Sequence, residues 1–363
     1  MCMYLDSRHH SKTFGESTMG NLDLAVQIKD AALNCGFDVC GIVKVEEMKD
    51  YAAAIDSRIA HFPEAKPMYA RFADFADPTK MVPWAKSVIV YGHWYGNYRV
   101  PENVQGRIGK ALFFDPRKNP YSKENQNVLR FEKILTGLDI KHVAKHDSGI
   151  SAMRWAAAKS GIGIIRKNNF FYTERGSWFN LGIILIDREL ELKAASSIKS
   201  CPENCSLCIK SCPTEALREP FQMNGIACAA FLTCMGTCAP SKNNYDKCGS
   251  WIFGCDACQD VCPFNEKAWN AVEDFPGLEK LAGLLSYEQI LSMDYETMTT
   301  VFPQKFWYIQ PDDVWKWKCN VLNAMRNNYD SSYLPYIKHA LSDSKAEVRE
   351  MAKYVFESVT VIV

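Results

Sequence analysis

The sequence predicts an α/β layered unit over residues 21–198, a cysteine-rich unit organised by metal over 199–268, and a helical region over 269–363. Three observations carry this. Amphipathic helical stretches alternate with short β-rich runs between Leu22 and Ile186. Eleven of the fifteen cysteines fall between Cys201 and Cys262. From Leu278 onward the pattern is helical, broken by Asn, Asp and Ser turns.

Within the first unit, Leu24, Val26, Ile28 and Ala32 predict a helix over Asn21–Cys35, closed by Gly36. A strand follows over Asp38–Val43. Two compact apolar runs, Ser87-Val88-Ile89-Val90-Tyr91 and Leu181-Gly182-Ile183-Ile184-Leu185-Ile186, predict central strands. Between them lie a Pro/Gly/Asn-rich passage (95–121), a helix over Lys123–Gly137 and a second helix after Ser151. In the last region, helices are expected over Val314–Arg326, Tyr333–Leu341 and Lys345–Ser358, the final two resembling a HEAT-type pair.

With 363 residues and 47% hydrophobic content, the chain can bury two or three units. Lysine plus arginine number 42 and aspartate plus glutamate number 42, so no global field draws it to nucleic acid or to an anionic membrane. No run of eighteen apolar residues predicts a membrane span, and the polar opening with Arg8, His9 and His10 lacks the apolar core of a secretory signal. Residues 1–20 are therefore read as a leader without fixed structure, and the protein as cytoplasmic.

A disulfide framework would spread its staples; clustering on this scale means metal. The first motif runs Cys201, Cys205, Cys208, Cys212-Pro213, and the second Cys228, then Cys255, Cys258, Cys262-Pro263. A cubane cluster needs four converging thiolates, of which a tight loop delivers three. In two-cluster ferredoxins the cysteine before proline ligates the other cluster. The expected sets are Cys201, Cys205, Cys208 and Cys262 for one [4Fe-4S] cluster, and Cys212, Cys228, Cys255 and Cys258 for the other. A zinc ribbon is the competing reading of C-x2-C pairs, and the two Cys-Pro endings weigh against it. Cys234, Cys238 and Cys248 are extras: buried free thiols, or a separate metal or redox site.

Upstream, His146-Asp147-Ser148-Gly149, Arg154, Gly161-Ile162-Gly163, Lys167-Asn168-Asn169 and Gly176-Ser177-Trp178-Phe179-Asn180-Leu181-Gly182 resemble the catalytic domain of the epoxyqueuosine reductase family. Cys228-Ala229-Ala230-Phe231-Leu232-Thr233 and the run from Gly254 to Pro263 resemble the same family, as do Pro83–Val90 and the HEAT-like end. The resemblance begins at about residue 22.

The resemblance implies an α/β cobalamin-binding domain on a ferredoxin-like double [4Fe-4S] domain, with base-off cobalamin near one cluster and a HEAT-like C-terminal segment. It implies an oxidoreductase that reduces epoxyqueuosine in tRNA or a related small substrate, acting as a monomer and supplied by a low-potential donor of ferredoxin or flavodoxin type. Asp147 maps onto the family's proton donor, and Arg154 onto an active-site arginine. Lys167 and Asn168 map onto the loop near the corrin, and Cys255-Asp256 onto the cluster-to-corrin contact. By residue chemistry alone, Asp147 in Asp-Ser-Gly equally suits a helix N-cap.

The chain departs from the family pattern in three places. Gly106-Arg107-Ile108-Gly109-Lys110 stands where Asp-Tyr-His is usual. Ser250-Trp251 lacks an arginine usual before the second motif, and the three extra cysteines form an insertion. Two other function classes follow from the same residues: a two-cluster electron carrier without corrin, and a non-exported relative of reductive dehalogenases. Lys316, Lys318, Arg326, Lys338, Lys345 and Arg349 either hold RNA phosphates or form a solvated face among acids.

Overall fold

The computed structural model describes residues 20–114, 122–144, 150–194, 196–240, 244–275, 277–306 and 308–360, the side chains of 150 and 151 excepted. Asp147 lies outside the described residues.

Four strands, β1 (Val39–Lys44), β2 (Ser87–Trp94), β3 (His142–Ala144) and β4 (Phe179–Ile186), form one sheet in the order β1-β2-β4-β3. Every neighbouring pair is antiparallel. The two apolar runs are the central strands, paired from Ser87 opposite Ile186 to Trp94 opposite Phe179. Strand alternation then sorts the side chains: Val43, Val88, Val90, Ile183 and Leu185 face one core, and Ile42, Ile89, Tyr91, Ile184 and Ile186 the other. Helices cover both faces, so these antiparallel strands read as continuous apolar runs and not as alternating ones. The first strand begins one residue later than expected, and beside its start the Asp38 carboxylate accepts the Trp94 N–H at 2.7 Å and pairs with Arg175 at 2.6 Å.

Helices α1 (Asn21–Cys35) and α4 (Lys123–Gly137) cover one face. Their apolar stripes, Ala25, Ile28 and Ala32 on α1 with Val128, Phe131 and Leu135 on α4, recur at helical spacing. Ser122 caps α4 by accepting the Asn125 N–H at 3.1 Å, and Gly36 ends α1 at φ 102°. Phe131 is fully buried between α1 and the sheet, so Phe131→Ala costs about 3–5 kcal/mol. Helices α2 (Tyr51–His61), α3 (Lys66–Ala73) and α5 (Ile150–Lys159) close the other face through Tyr51, Ile55, Tyr69, Ala152, Met153 and Ala156.

Among the described residues the α-helices of the cysteine-rich segment are short: α6 (Leu207–Lys210), α7 (Ala229–Met235) and α8 (Ala257–Asp260). Beyond it come α9 (Leu278–Ala282), α10 (Tyr287–Ser292), α11 (Tyr295–Val301), α12 (Trp315–Asn327), α13 (Leu334–Ala340) and α14 (Ala346–Thr360). Trp317 on α12 is fully buried, stacked on Phe253 at 4.8 Å and packed by Phe302 and Phe306. One turn further along, α12 locks this region to the cysteine-rich segment. Asn320 donates to the carbonyls of Thr233 and Ile252, and Asn323 to that of Tyr245. Among the described residues no helix is long and apolar enough to cross a membrane.

Candidate metal centre and the residues around it

Each cysteine motif is a turn that runs into a one-turn helix, which aims successive thiols inward from closely spaced backbone. Cys201 and Cys205 sit on the turn before α6, which carries Cys208; Cys228 precedes α7, Cys255 precedes α8, and Cys258 lies on α8. Proline after Cys212 and after Cys262 stops further helix. The hydroxyl of Ser211 donates to the Ala257 carbonyl at 3.2 Å, tying the two motifs together.

Cys201, Cys205, Cys208 and Cys262 line a single cavity of about 120 Å³, with Arg166, Lys167, Asn168, Leu207 and Phe264 in its walls. Burial, and then the thiols of Cys201, Cys262 and Cys205, push the Cys208 thiol up to about 11. Cys212, Cys228, Cys255 and Cys258 form a second neighbourhood. Burial raises Cys228, Cys255 and Cys258; the Ala230 backbone N–H opposes it at Cys228, where Cys212 adds to the rise, and Cys228 adds to it at Cys255 and Cys258. Among the described residues no three His, Cys, Asp or Glu side chains close on a single ion. Tetrahedral zinc needs sulfurs about 2.3 Å from one centre, whereas thiols ringing a cavity suit a polynuclear cluster.

The α/β unit reaches these motifs through the loop after Gly163. The Lys167 ammonium donates to the carbonyls of Pro202, Glu203 and Cys205 at 2.8, 2.7 and 2.9 Å, so it holds the first cysteine turn. The Asn168 amide donates to the Tyr172 hydroxyl at 2.9 Å and to the Cys258 carbonyl at 3.0 Å. Arg154, on α5, donates to the Asn169 carbonyl at 3.0 Å and lies 4.2 Å from the Phe170 ring centre. Burial, then the Arg58 guanidinium, lowers its pKa to about 10, while the Cys258 thiol pulls the other way.

Asp256 is buried, accepts the Lys110 backbone N–H at 2.7 Å and pairs with the Lys110 ammonium at 3.5 Å. Burial raises its carboxyl to about 6, with Lys110 opposing. The atypical Gly106–Lys110 stretch thus packs on the second cysteine motif: Gly109 donates to the Phe253 carbonyl at 2.8 Å, and a Cβ there would stand 3.1 Å from the Cys255 nitrogen. Beneath both motifs Ser177, Gln259 and Asn265 form a buried hydrogen-bonded set, and Gly176, at φ 81°, has no room for a Cβ beside Ala268 and Asn265.

Cys234, Cys238 and Cys248 are buried in the core that joins the insertion to α12, where the Cys238 thiol donates to Asn320 Oδ1 at 3.6 Å. Of the basic residues in the helical region, Lys316 pairs with Asp313, Lys318 with Asp343 and Arg326 with Asp246, and Arg349 donates to the carbonyls of Asp343 and Ser344. Lys318 is thus buried in an ion pair and is not part of a solvated face. The sequence reading passed over Arg58, whose guanidinium donates to Asn169 Oδ1 at 2.9 Å, and Arg166. Arg58 offers no sequence signal, standing 111 residues from its partner; Arg166 directly precedes Lys167.

Residues 200–265 match the family described as the 4Fe-4S double cluster binding domain. The epoxyqueuosine reductase of Synechococcus sp. is 35% identical over 324 residues, covering 85% of this chain and 97% of that protein. This chain belongs to the epoxyqueuosine reductase family. A second member, from Leadbetterella byssophila, is 30% identical over 74% of this chain and 89% of its own. In fold, the chain is similar to a crystal structure of epoxyqueuosine reductase with an epoxyqueuosine-modified tRNA-Tyr stem loop: TM-score 0.74 at 22% identity, covering 93% of this chain and 90% of that one. The Streptococcus thermophilus epoxyqueuosine reductase gives 0.71 at 19% identity, covering 94% and 91%. As a member of the epoxyqueuosine reductase family the chain is an oxidoreductase, and its cysteine-rich segment is an iron-sulfur cluster-binding domain.

Proposed function

We propose that this chain reduces epoxyqueuosine to queuosine in tRNA, a deoxygenation that takes two electrons and two protons and releases the epoxide oxygen as water. The observation that carries the reading is the 35% identity to a named reductase, which spans 97% of that protein and includes both cysteine motifs.

In this reading one [4Fe-4S] cluster is held by Cys201, Cys205, Cys208 and Cys262, and the other by Cys212, Cys228, Cys255 and Cys258. Four thiols around a 120 Å³ cavity fit the first of these. Cobalamin, expected in its base-off form, would supply low-potential reducing chemistry at this site if bound. The residues fit such a group: the Arg154 guanidinium and the Asn169 amide, whose Nδ2 is buried without a partner, are donors suited to the amide-rich rim of a corrin. Asp147 gives a proton to the departing oxygen, Arg154 orients the reacting group, and Asp256 and the Lys167-Asn168 loop hold the cofactor against the clusters. A small low-potential protein supplies the electrons, the helical C-terminal region is HEAT-like, and the protein works as a cytoplasmic monomer.

The test is reconstituted enzyme with epoxyqueuosine-containing tRNA and a chemical reductant, with nucleosides read by mass spectrometry. Loss of one oxygen mass, abolished in Asp147→Asn, supports the reading. Wild-type enzyme with full iron and cobalamin that leaves the nucleoside unchanged contradicts it.

A further inference from the structure

Arg166 occupies a position that the cysteine motifs alone do not explain. Its backbone closes the turn between Ile164–Ile165 and Phe171–Tyr172, donating to the Phe170 carbonyl at 3.0 Å and accepting from the Asn169 N–H at 2.8 Å. The side chain is therefore delivered from a fixed point. It is 2% exposed and runs into the wall of the cavity lined by Cys201, Cys205, Cys208 and Cys262. The guanidinium lies 3.3 Å from the Phe264 ring centre, and its Nη1 stands 3.7 Å from the Cys201 sulfur. Its Nε is buried without a partner.

Among the described residues no carboxylate pairs with this cation. Burying an uncompensated charge is strongly unfavourable, so a buried guanidinium requires an anion. Lys167 beside it is already held by three carbonyls. A [4Fe-4S] core with four thiolates is a dianion when oxidised and a trianion when reduced, and the cavity wall puts the guanidinium beside that charge. A fixed cation stabilises the more negative state more strongly. Among the described residues no guanidinium donates to Cys212, Cys228, Cys255 or Cys258: Arg154, whose charge acts on Cys228 and Cys258, donates to the Asn169 carbonyl.

We propose that Arg166 is a potential-setting residue for the cluster at Cys201, Cys205, Cys208 and Cys262. It raises the reduction potential of that cluster above that of its neighbour, so that the first site takes and holds the incoming electron. The inference rests on the two-cluster part of the proposed function and is independent of the corrin; iron and sulfide counts on wild-type protein decide that part before any variant is read.

The experiment is potentiometric titration of the reconstituted full chain, followed by electron paramagnetic resonance, for wild type, Arg166→Lys and Arg166→Met. Methionine keeps an unbranched apolar stem as far as the Nε position, without the charge, whereas lysine keeps the charge. In Arg166→Met one cluster is expected to lose at least tenfold in its reduction equilibrium constant, about 59 mV for one electron, with the other unmoved. Arg166→Lys should keep most of the wild-type potential. Should Arg166→Met fail to hold the first cluster, retention in Arg166→Lys with a near-wild-type potential supports the charge argument. The proposal is overturned if Arg166→Met titrates like wild type, if lysine and methionine shift the potential alike, or if both variants lose the cluster.

Discussion

The Lys167 ammonium donates to the Cys205 carbonyl at 2.9 Å, and the same group reaches the carbonyls of Pro202 and Glu203. One side chain of the α/β unit thus holds the turn that presents two thiols. Charge-assisted hydrogen bonds of this kind contribute about 1.5–3 kcal/mol each, although three on one ammonium do not add in full. Lys167→Met is expected to leave the fold intact but release iron from the first site faster. Chelator challenge of the holoprotein checks this: the variant should lose about half its iron in an early phase that wild type lacks.

Exchange of the pre-proline cysteines is open to a direct test. Cys262→Ser should remove or alter the cluster whose other ligands are Cys201, Cys205 and Cys208, and Cys212→Ser the one held with Cys228, Cys255 and Cys258. If ligation is crossed, Cys262→Ser and Cys205→Ser perturb the same spectral component; if each motif serves its own cluster, Cys262→Ser instead matches Cys255→Ser. Paramagnetic resonance of the four reduced variants separates the two patterns.

Lys318 and Asp343 form an ion pair at 3.1 Å, with side chains 7% and 8% exposed, and the Tyr295 hydroxyl donates to the same carboxylate at 2.6 Å. Removing one partner leaves a buried charge, which costs about 3–5 kcal/mol, whereas an apolar replacement of both is far milder. Lys318→Met should therefore lower the urea midpoint sharply, and Lys318→Met with Asp343→Leu should recover most of it. Equal midpoints for the single and double variants would contradict the buried-pair account.

His93 is buried against Phe37 and Tyr91, with Nε2 accepting from the Asn127 amide at 3.2 Å. Burial, and then the Lys123 charge, lowers its pKa to about 4. The folded state keeps the ring neutral while the unfolded chain, with an ordinary pKa of about 6.5, takes up a proton. Its contribution is thus complete above pH 6.5 and is lost as pH falls, at about 1.4 kcal/mol per pH unit until the folded pKa is reached. His93→Gln should flatten the decline in stability between pH 7 and 5 by about 2 kcal/mol, measured by urea unfolding at each pH.

What the sequence disclosed were features written in local spacing. The helices Asn21–Cys35 and Lys123–Gly137 were legible because apolar stripes at helical period end at Gly36 and begin after the Ser122 cap. The cysteine motifs were legible because ligand spacing is local chemistry. The antiparallel order β1-β2-β4-β3 was not, since it pairs segments about ninety residues apart and no periodicity encodes a partner. Nor was the setting of Cys234, Cys238 and Cys248: only the packing of α12 on the insertion identifies them as core thiols. Arg58 and Arg166 stayed hidden for a related reason, because an arginine in a sequence reads as surface until burial is known.

The most direct test of the account is anaerobic reconstitution of the full chain with iron, sulfide and cobalamin, followed by optical and paramagnetic resonance spectroscopy. The account predicts two [4Fe-4S] clusters per chain and one equivalent of bound cobalamin in the base-off form. Two clusters with no retained cobalamin would contradict it and leave a two-cluster electron carrier.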